Sequence, residues 1–197
     1  MSEKVGHVGV DYGSKLAGTT TICGVLSGKL TICQSEKKRD ADQFLKMVFE
    51  LWQPETVYID APLSLPGAYF GAGTDYFYRA GDRELRAMSP MFLGGLTARA
   101  MRLQSQYINN CPVFVETYPG QIVKEHLPEA RVFYKKKKSE ISTFLEVLEP
   151  ALPVELAKTP DNWHQVDGLL AWWAGWRHRN GDAHRWYGDE QEGRILV

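Results

Sequence analysis

The chain has 197 residues, 44% of them hydrophobic and 12% aromatic, and 23 Lys and Arg face 24 Asp and Glu for a net charge of -1. That length suits one domain, or one domain with an insertion, and the apolar content excludes disordered and fibrous classes. The balanced charge provides no global basic field, so any phosphate-binding surface must be local.

Cys23, Cys33 and Cys111 are odd in number and lack C-x-x-C spacing, which argues against a disulfide framework and a thiolate zinc site and fits a reducing cytoplasm. Residues 61–74 form the longest stretch without Asp, Glu, Lys or Arg, too short and too rich in Gly and Pro to span a bilayer. No apolar signal core opens the chain, so a cytoplasmic protein with no membrane contact is expected.

Residues 5–11 alternate Val with Gly or His and meet the Tyr12-Gly13-Ser14 turn, and residues 19–26 are β-branched. With a turn at Ser27-Gly28-Lys29 and a third strand at 30–34, they predict an antiparallel meander. Phe44, Val48 and Leu51 give residues 40–52 a helical stripe that ends before Pro54, and residues 57–60 read as a short buried strand. Residues 61–90 are Gly-rich and aromatic and read as an inserted lid; Tyr69, Phe70, Tyr76, Phe77 and Tyr78 could pack a small core or stack on bases. Leu93, Leu96, Ala100, Leu103 and Tyr107 mark the next helix, and residues 112–116 a strand broken by the Tyr118-Pro119-Gly120 turn. Strand, helix and strand in succession imply parallel pairing. After the run Lys135–Lys138, read as solvated or as touching nucleic acid, helices are expected at 140–149 and 162–179, with a short terminal strand at 194–197. Trp172, Trp173 and Trp176 span a wide arc of the last helix, as core plus a subunit contact in a homodimer would require.

The acids occupy one kind of place. Asp11, Asp60 and Glu116 each end an apolar strand before a turn, and ligands of α/β sheets bind at the carboxyl ends of strands. Asp167 shares a helical face with Leu170, Ala171 and Ala174, so it points inward and can join them. Such carboxylates repel one another unless a cation intervenes, and oxygen ligands without thiolate favour Mg²⁺ or Mn²⁺. Two such ions about 4 Å apart hydrolyse phosphodiesters by in-line displacement. Each acid also has a plainer reading: an Asx-turn for Asp11 or Asp60, a loop hydrogen bond for Glu116, an ion pair for Asp167. Substrate-binding candidates are Lys15 in the first turn, Arg79, Arg83 and Arg86 at helical spacing, Tyr118 beside Glu116, and His164 one turn before Asp167. Internal salt bridges of the arginines with Asp82 and Glu84 are an equal alternative.

The segments VGVDYGS at 8–14, YIDAPLSLP at 58–66, RAGDRELR at 79–86, VETYPG at 115–120, QVDGLLAWWAG at 165–175 and GDEQEGRILV at 188–197 resemble the family known as domain of unknown function 429. The resemblance implies a ribonuclease H-like fold: a mixed five-stranded sheet, with an antiparallel meander followed by two parallel strands, flanked by helices, and a lid inserted after the fourth strand. It implies a metal-dependent nuclease in which Asp11, Asp60 and Asp167 hold the metal, Glu116 serves as helper or general base, and Arg79, Asp82, Arg83 and Arg86 belong to the site. Resolvase-like nucleases of that fold often carry two acids a turn apart in the last helix; His164 stands there instead, so a weaker or single-ion site is expected. The same fold builds actin-like kinases, which would make the chain a small-molecule phosphotransferase, but those need two lobes and this chain is long enough for one. It also lacks a P-loop. A non-catalytic nucleic-acid or protein-binding module is the third expectation.

Overall fold

The computed structural model describes residues 5–108, 110–182 and 184–197. The meander forms as expected: β1 (His7–Asp11) pairs antiparallel with β2 (Thr21–Leu26), and β2 antiparallel with β3 (Lys29–Gln34). Ser27 and Gly28 both take positive φ in the β2–β3 turn, the conformation that matches a two-residue hairpin to strand twist. Helix α1 (Ala41–Trp52) starts where the Asp40 carboxylate accepts from the backbone N–H groups of Asp42 and Gln43, and it leads to β4 (Thr56–Asp60), which runs parallel to β1.

Residues 61–90 hold a 3₁₀ turn at Gly67–Phe70 and helix α2 (Ala80–Leu85). They are fastened to the body, because the Glu192 carboxylate accepts from Gly67 N at 2.5 Å and Ala80 N at 2.7 Å, and the Ser64 hydroxyl donates to the Glu192 carbonyl. Ser89 caps the short helix α3 (Pro90–Leu93), and Gly94 separates it from α4 (Gly95–Ser105), where one helix is predicted from the apolar spacing.

Strand β5 (Val113–Thr117) pairs parallel with β4. Beyond it the prediction needs correction: Tyr118-Pro119-Gly120 opens helix α5 (Pro119–His126) instead of a turn, since Pro at the first helical position loses no hydrogen bond. Helix α6 (Ile141–Leu148) and the long α7 (Trp163–Arg179) follow, the latter capped by Asn162, which accepts from Gln165 N. The strand count is also corrected, from five to seven. Two-residue strands β6 (Trp186–Tyr187) and β7 (Ile195–Leu196) extend the mixed sheet to the order β3-β2-β1-β4-β5-β7-β6. Only β7 falls where a terminal strand is predicted; β6 is too short to carry an alternating pattern.

Helices cover both faces. Val8, Val10, Val57 and Ile59 pack against Leu45 and Phe49 of α1 and Ala100 and Leu103 of α4. On the other face α5, α6 and α7 build a core that includes Ile122, Phe144, Leu169, Trp172 and Trp173. Trp176 packs, partly buried, at its edge. Two glycines let α7 press onto the sheet: a Cβ on Gly9 would overlap the Trp172 backbone nitrogen, and one on Gly175 would overlap the Tyr58 ring. No helix among the described residues is long and apolar enough to cross a membrane.

Candidate metal centre

Register brings the first two acids together. Asp11 and Asp60 are direct partners at the ends of the parallel pair β1–β4, so both side chains leave the same face of the sheet. That face is covered by α7, whose close approach at Gly9 delivers Asp167 from above. One oxygen from each of Asp11, Asp60 and Asp167 lies within 4.8 Å of the others. The Thr21 hydroxyl, donating to the His164 carbonyl at 2.7 Å, pins the first turn of α7 over β2.

Two acids of this trio already have partners. His164 Nδ1 lies 2.8 Å from Asp11 Oδ2. The Tyr134 hydroxyl donates to Asp167 Oδ1 at 2.5 Å, and Lys135 Nζ lies 2.6 Å from Asp167 Oδ2. The half-buried Asp60 carboxylate accepts no hydrogen bond from a described residue.

The electrostatics follow from that arrangement. Burial, then the charges of Asp11 and Asp167, push the Asp60 carboxyl well above the usual carboxylate range. Asp167 rises to about 6, chiefly through burial, with Lys135 opposing the rise and Asp11 adding to it. The hydrogen bond to Asp11 raises His164. Burial works to lower Lys135, but the charge and hydrogen bond of Asp167 outweigh it and hold the ammonium charged. Tyr118 lines the same small cavity as Asp60, and burial and then the charge of Asp60 raise its hydroxyl.

The other candidates lie elsewhere. Glu116 pairs with Ile59, not Asp60, so the alternation of the strand turns it to the opposite face. There it forms a bidentate ion pair with the buried Arg79, at 2.6 and 2.7 Å, and accepts from Leu63 N at 2.9 Å. Arg79 also holds Asp82 and Ser64, so it cannot bind a phosphate backbone. Arg83 is exposed and paired with Asp75, Arg86 is exposed at the end of α2, and Lys15 pairs with Asp40 at 3.1 Å. The three arginines therefore share no face: the salt-bridge alternative holds for Arg79, with Asp82 as one partner, and for Arg83, with Asp75.

Tyr134 and Lys135 are the residues that sequence reasoning missed. Nothing in the run Lys135–Lys138 marks its first member apart from the others. Its backbone sits in the left-handed region at φ 54°, which turns it toward α7. A narrow cavity of about 80 Å³ opens beside Asp60, lined among others by Pro62, Met88, Leu93 and Tyr118. Phe70, Tyr76, Phe77 and Phe92 are more than half exposed, and the aromatic segment packs in part on itself, with Tyr69 against Tyr76 and Phe92 against Phe77 and Tyr78.

Three carboxylates from three separate elements, with no thiolate among them, form a hard oxygen donor set suited to a small divalent cation. The unpartnered Asp60 is the acid most in need of one. Compared with protein-family models, curated proteins and solved structures, the chain matches none of them.

Proposed function

We propose that this chain is a Mg²⁺- or Mn²⁺-dependent nuclease on a ribonuclease H-like fold, hydrolysing phosphodiester bonds at Asp11, Asp60 and Asp167. The observation that carries the reading is the convergence of these acids from two adjacent strand ends and one helix, around an Asp60 that has no partner of its own. The antiparallel meander continued by parallel β4 and β5, within a sheet of seven strands, supports the fold part of this reading.

Asp11, Asp60 and Asp167 would hold a divalent ion, which would supply a lowered pKa for an attacking water and a charge opposite the phosphate oxygens. Asp11 and Asp167 are oriented for that ion by His164 and by Tyr134. His164 is half exposed and paired with Asp11, which raises its pKa and sets an acid-base group at the edge of the centre. The exposed rings of Phe70, Tyr76, Phe77 and Phe92, with Arg83 and Arg86 near them in sequence, offer bases a stacking surface and phosphates their counter-charge.

One observation favours a second reading. Asp11 and Asp167 are already ion-paired, as they would be in a binding module that neutralises its acids internally. Calorimetric titration with Mn²⁺ and cleavage of a mixed DNA and RNA panel, on wild type and Asp60→Asn, separates the two. The nuclease reading expects both binding and cleavage, and their joint loss in the variant. Absence of Mn²⁺ binding to wild type overturns it and leaves the binding module.

A further inference from the structure

Lys135 is the cation that the structure itself holds at this centre. Its Nζ lies 2.6 Å from Asp167 Oδ2, yet its side chain is 50% exposed while that of Asp167 is 1% exposed. The side chain therefore runs from the solvent-exposed loop in to the buried acid, and the ammonium stands at the centre itself. Its placement is built in: the adjoining Tyr134 ring packs at 5.6 Å from both Phe144 and Trp163, and its hydroxyl takes the other oxygen of Asp167.

The ligand inventory suits one ion. Both oxygens of Asp167 and one of Asp11 are engaged, which leaves Asp60 and a single oxygen of Asp11 without a protein partner. A second ion, about 4 Å from the first in two-metal sites, needs further oxygen ligands of its own. Glu116, the remaining strand-end acid, is turned to the other face and bound to Arg79, and no fourth acid joins the trio among the described residues.

Resting on the phosphodiesterase reading, we propose that Lys135 takes the place of a second metal: one divalent ion binds among the three acids, and the Lys135 ammonium donates to a non-bridging phosphate oxygen of the substrate. In the hydrolysis the water oxygen forms a bond to phosphorus and the bond to the leaving oxygen breaks. The attacking water releases one proton to solvent, the leaving group departs as the oxyanion and takes a proton from solvent, and Lys135 keeps its own.

Wild type, Lys135→Met, Lys135→Arg and Lys136→Met are titrated with Mn²⁺ by calorimetry and assayed on bis(p-nitrophenyl) phosphate. The expected wild-type stoichiometry is one Mn²⁺ per chain. Lys135→Met keeps that stoichiometry and binds Mn²⁺ several-fold more tightly, having lost a competing cation, while kcat/KM falls about 100-fold, the usual loss for one oxyanion-stabilising donor. Lys135→Arg retains the charge and most of the turnover, and Lys136→Met behaves as wild type. Ethylamine restores turnover to Lys135→Ala, which a purely structural role for the lysine would not allow. Two Mn²⁺ per wild-type chain, or undiminished turnover in Lys135→Met, overturns the inference and leaves the phosphodiesterase reading standing. A wild type that neither binds Mn²⁺ nor cleaves the diester overturns both.

Discussion

Asp60 is held in a place where its charge is poorly tolerated, and that fixes how the protein should respond to pH. Asp167, raised to about 6, and Asp60, raised well above its ordinary value, both bind protons more tightly in the folded chain than in the unfolded one. For such groups stability is greatest in acid and falls as pH rises from about 4, the unfolded value, through the folded value; above it the penalty stays constant. A divalent cation removes the penalty by giving the carboxylates an opposing charge, and protons compete with it. Mn²⁺ should therefore raise the melting temperature much more at pH 8 than at pH 5, and equal shifts at both would contradict the carboxylate site. Asp60→Asn should melt at a higher temperature than wild type in the absence of metal, because it removes a like charge. The same variant should lose the Mn²⁺-induced shift. A lower melting temperature without metal would mean that the attraction of Lys135 outweighs the repulsion of Asp11 and Asp167.

The contact of α7 with β1 sets the distance between acids on different elements. A Cβ at Gly9 would strike the backbone of Trp172, which no rotamer change can relieve. Gly9→Ala should cost about 3 kcal/mol in urea denaturation and weaken Mn²⁺ binding by lifting Asp167 away from Asp11; unchanged stability would show that the helix has room to spare. The strand ends at Asp11 and Asp60 are legible in the sequence because each closes an apolar run, and the inward face of Asp167 is legible from helical spacing. Glu116 is not, since its face depends on which β4 residue it opposes. A strand reveals its own alternation but not its register, and the offset that pairs Glu116 with Ile59 sends it away from the centre. Helix α5 is hidden because Tyr-Pro-Gly serves a turn and a helix start equally well. Tyr134 and Lys135 reach Asp167 from a non-periodic loop, and periodicity carries no information about such a segment.

Across the molecule, the segment at 61–90 is the one part whose sequence suggests a mobile flap and whose contacts tie it down from two sides. Arg79 anchors it to β5 through Glu116, in a buried pair that burial alone would disfavour and that the hydrogen bonds to Glu116 and Asp82 hold charged. Glu192, from the loop before β7, anchors it again by accepting from Gly67 and Ala80. Since β7 pairs with β5, the C-terminal loop clasps the segment to the same strand that holds Arg79. The segment that carries the exposed rings of Phe70, Tyr76 and Phe77 is thus held to the body at both of its ends. Glu192→Ala removes two charge-assisted hydrogen bonds and leaves Arg79 in place, so it should loosen the segment without unfolding the sheet. Stability should fall by about 2 kcal/mol. Trypsin should then cut at the exposed Arg83 and Arg86 at least about tenfold faster than in wild type, since cleavage follows the population of the locally opened form. Mn²⁺ affinity should be unchanged, because no ligand of the centre touches Glu192. If proteolysis is not accelerated, Arg79 alone fastens the segment and the C-terminal clasp is dispensable; if Mn²⁺ affinity falls in step, the segment supports the acids as well as the aromatic surface.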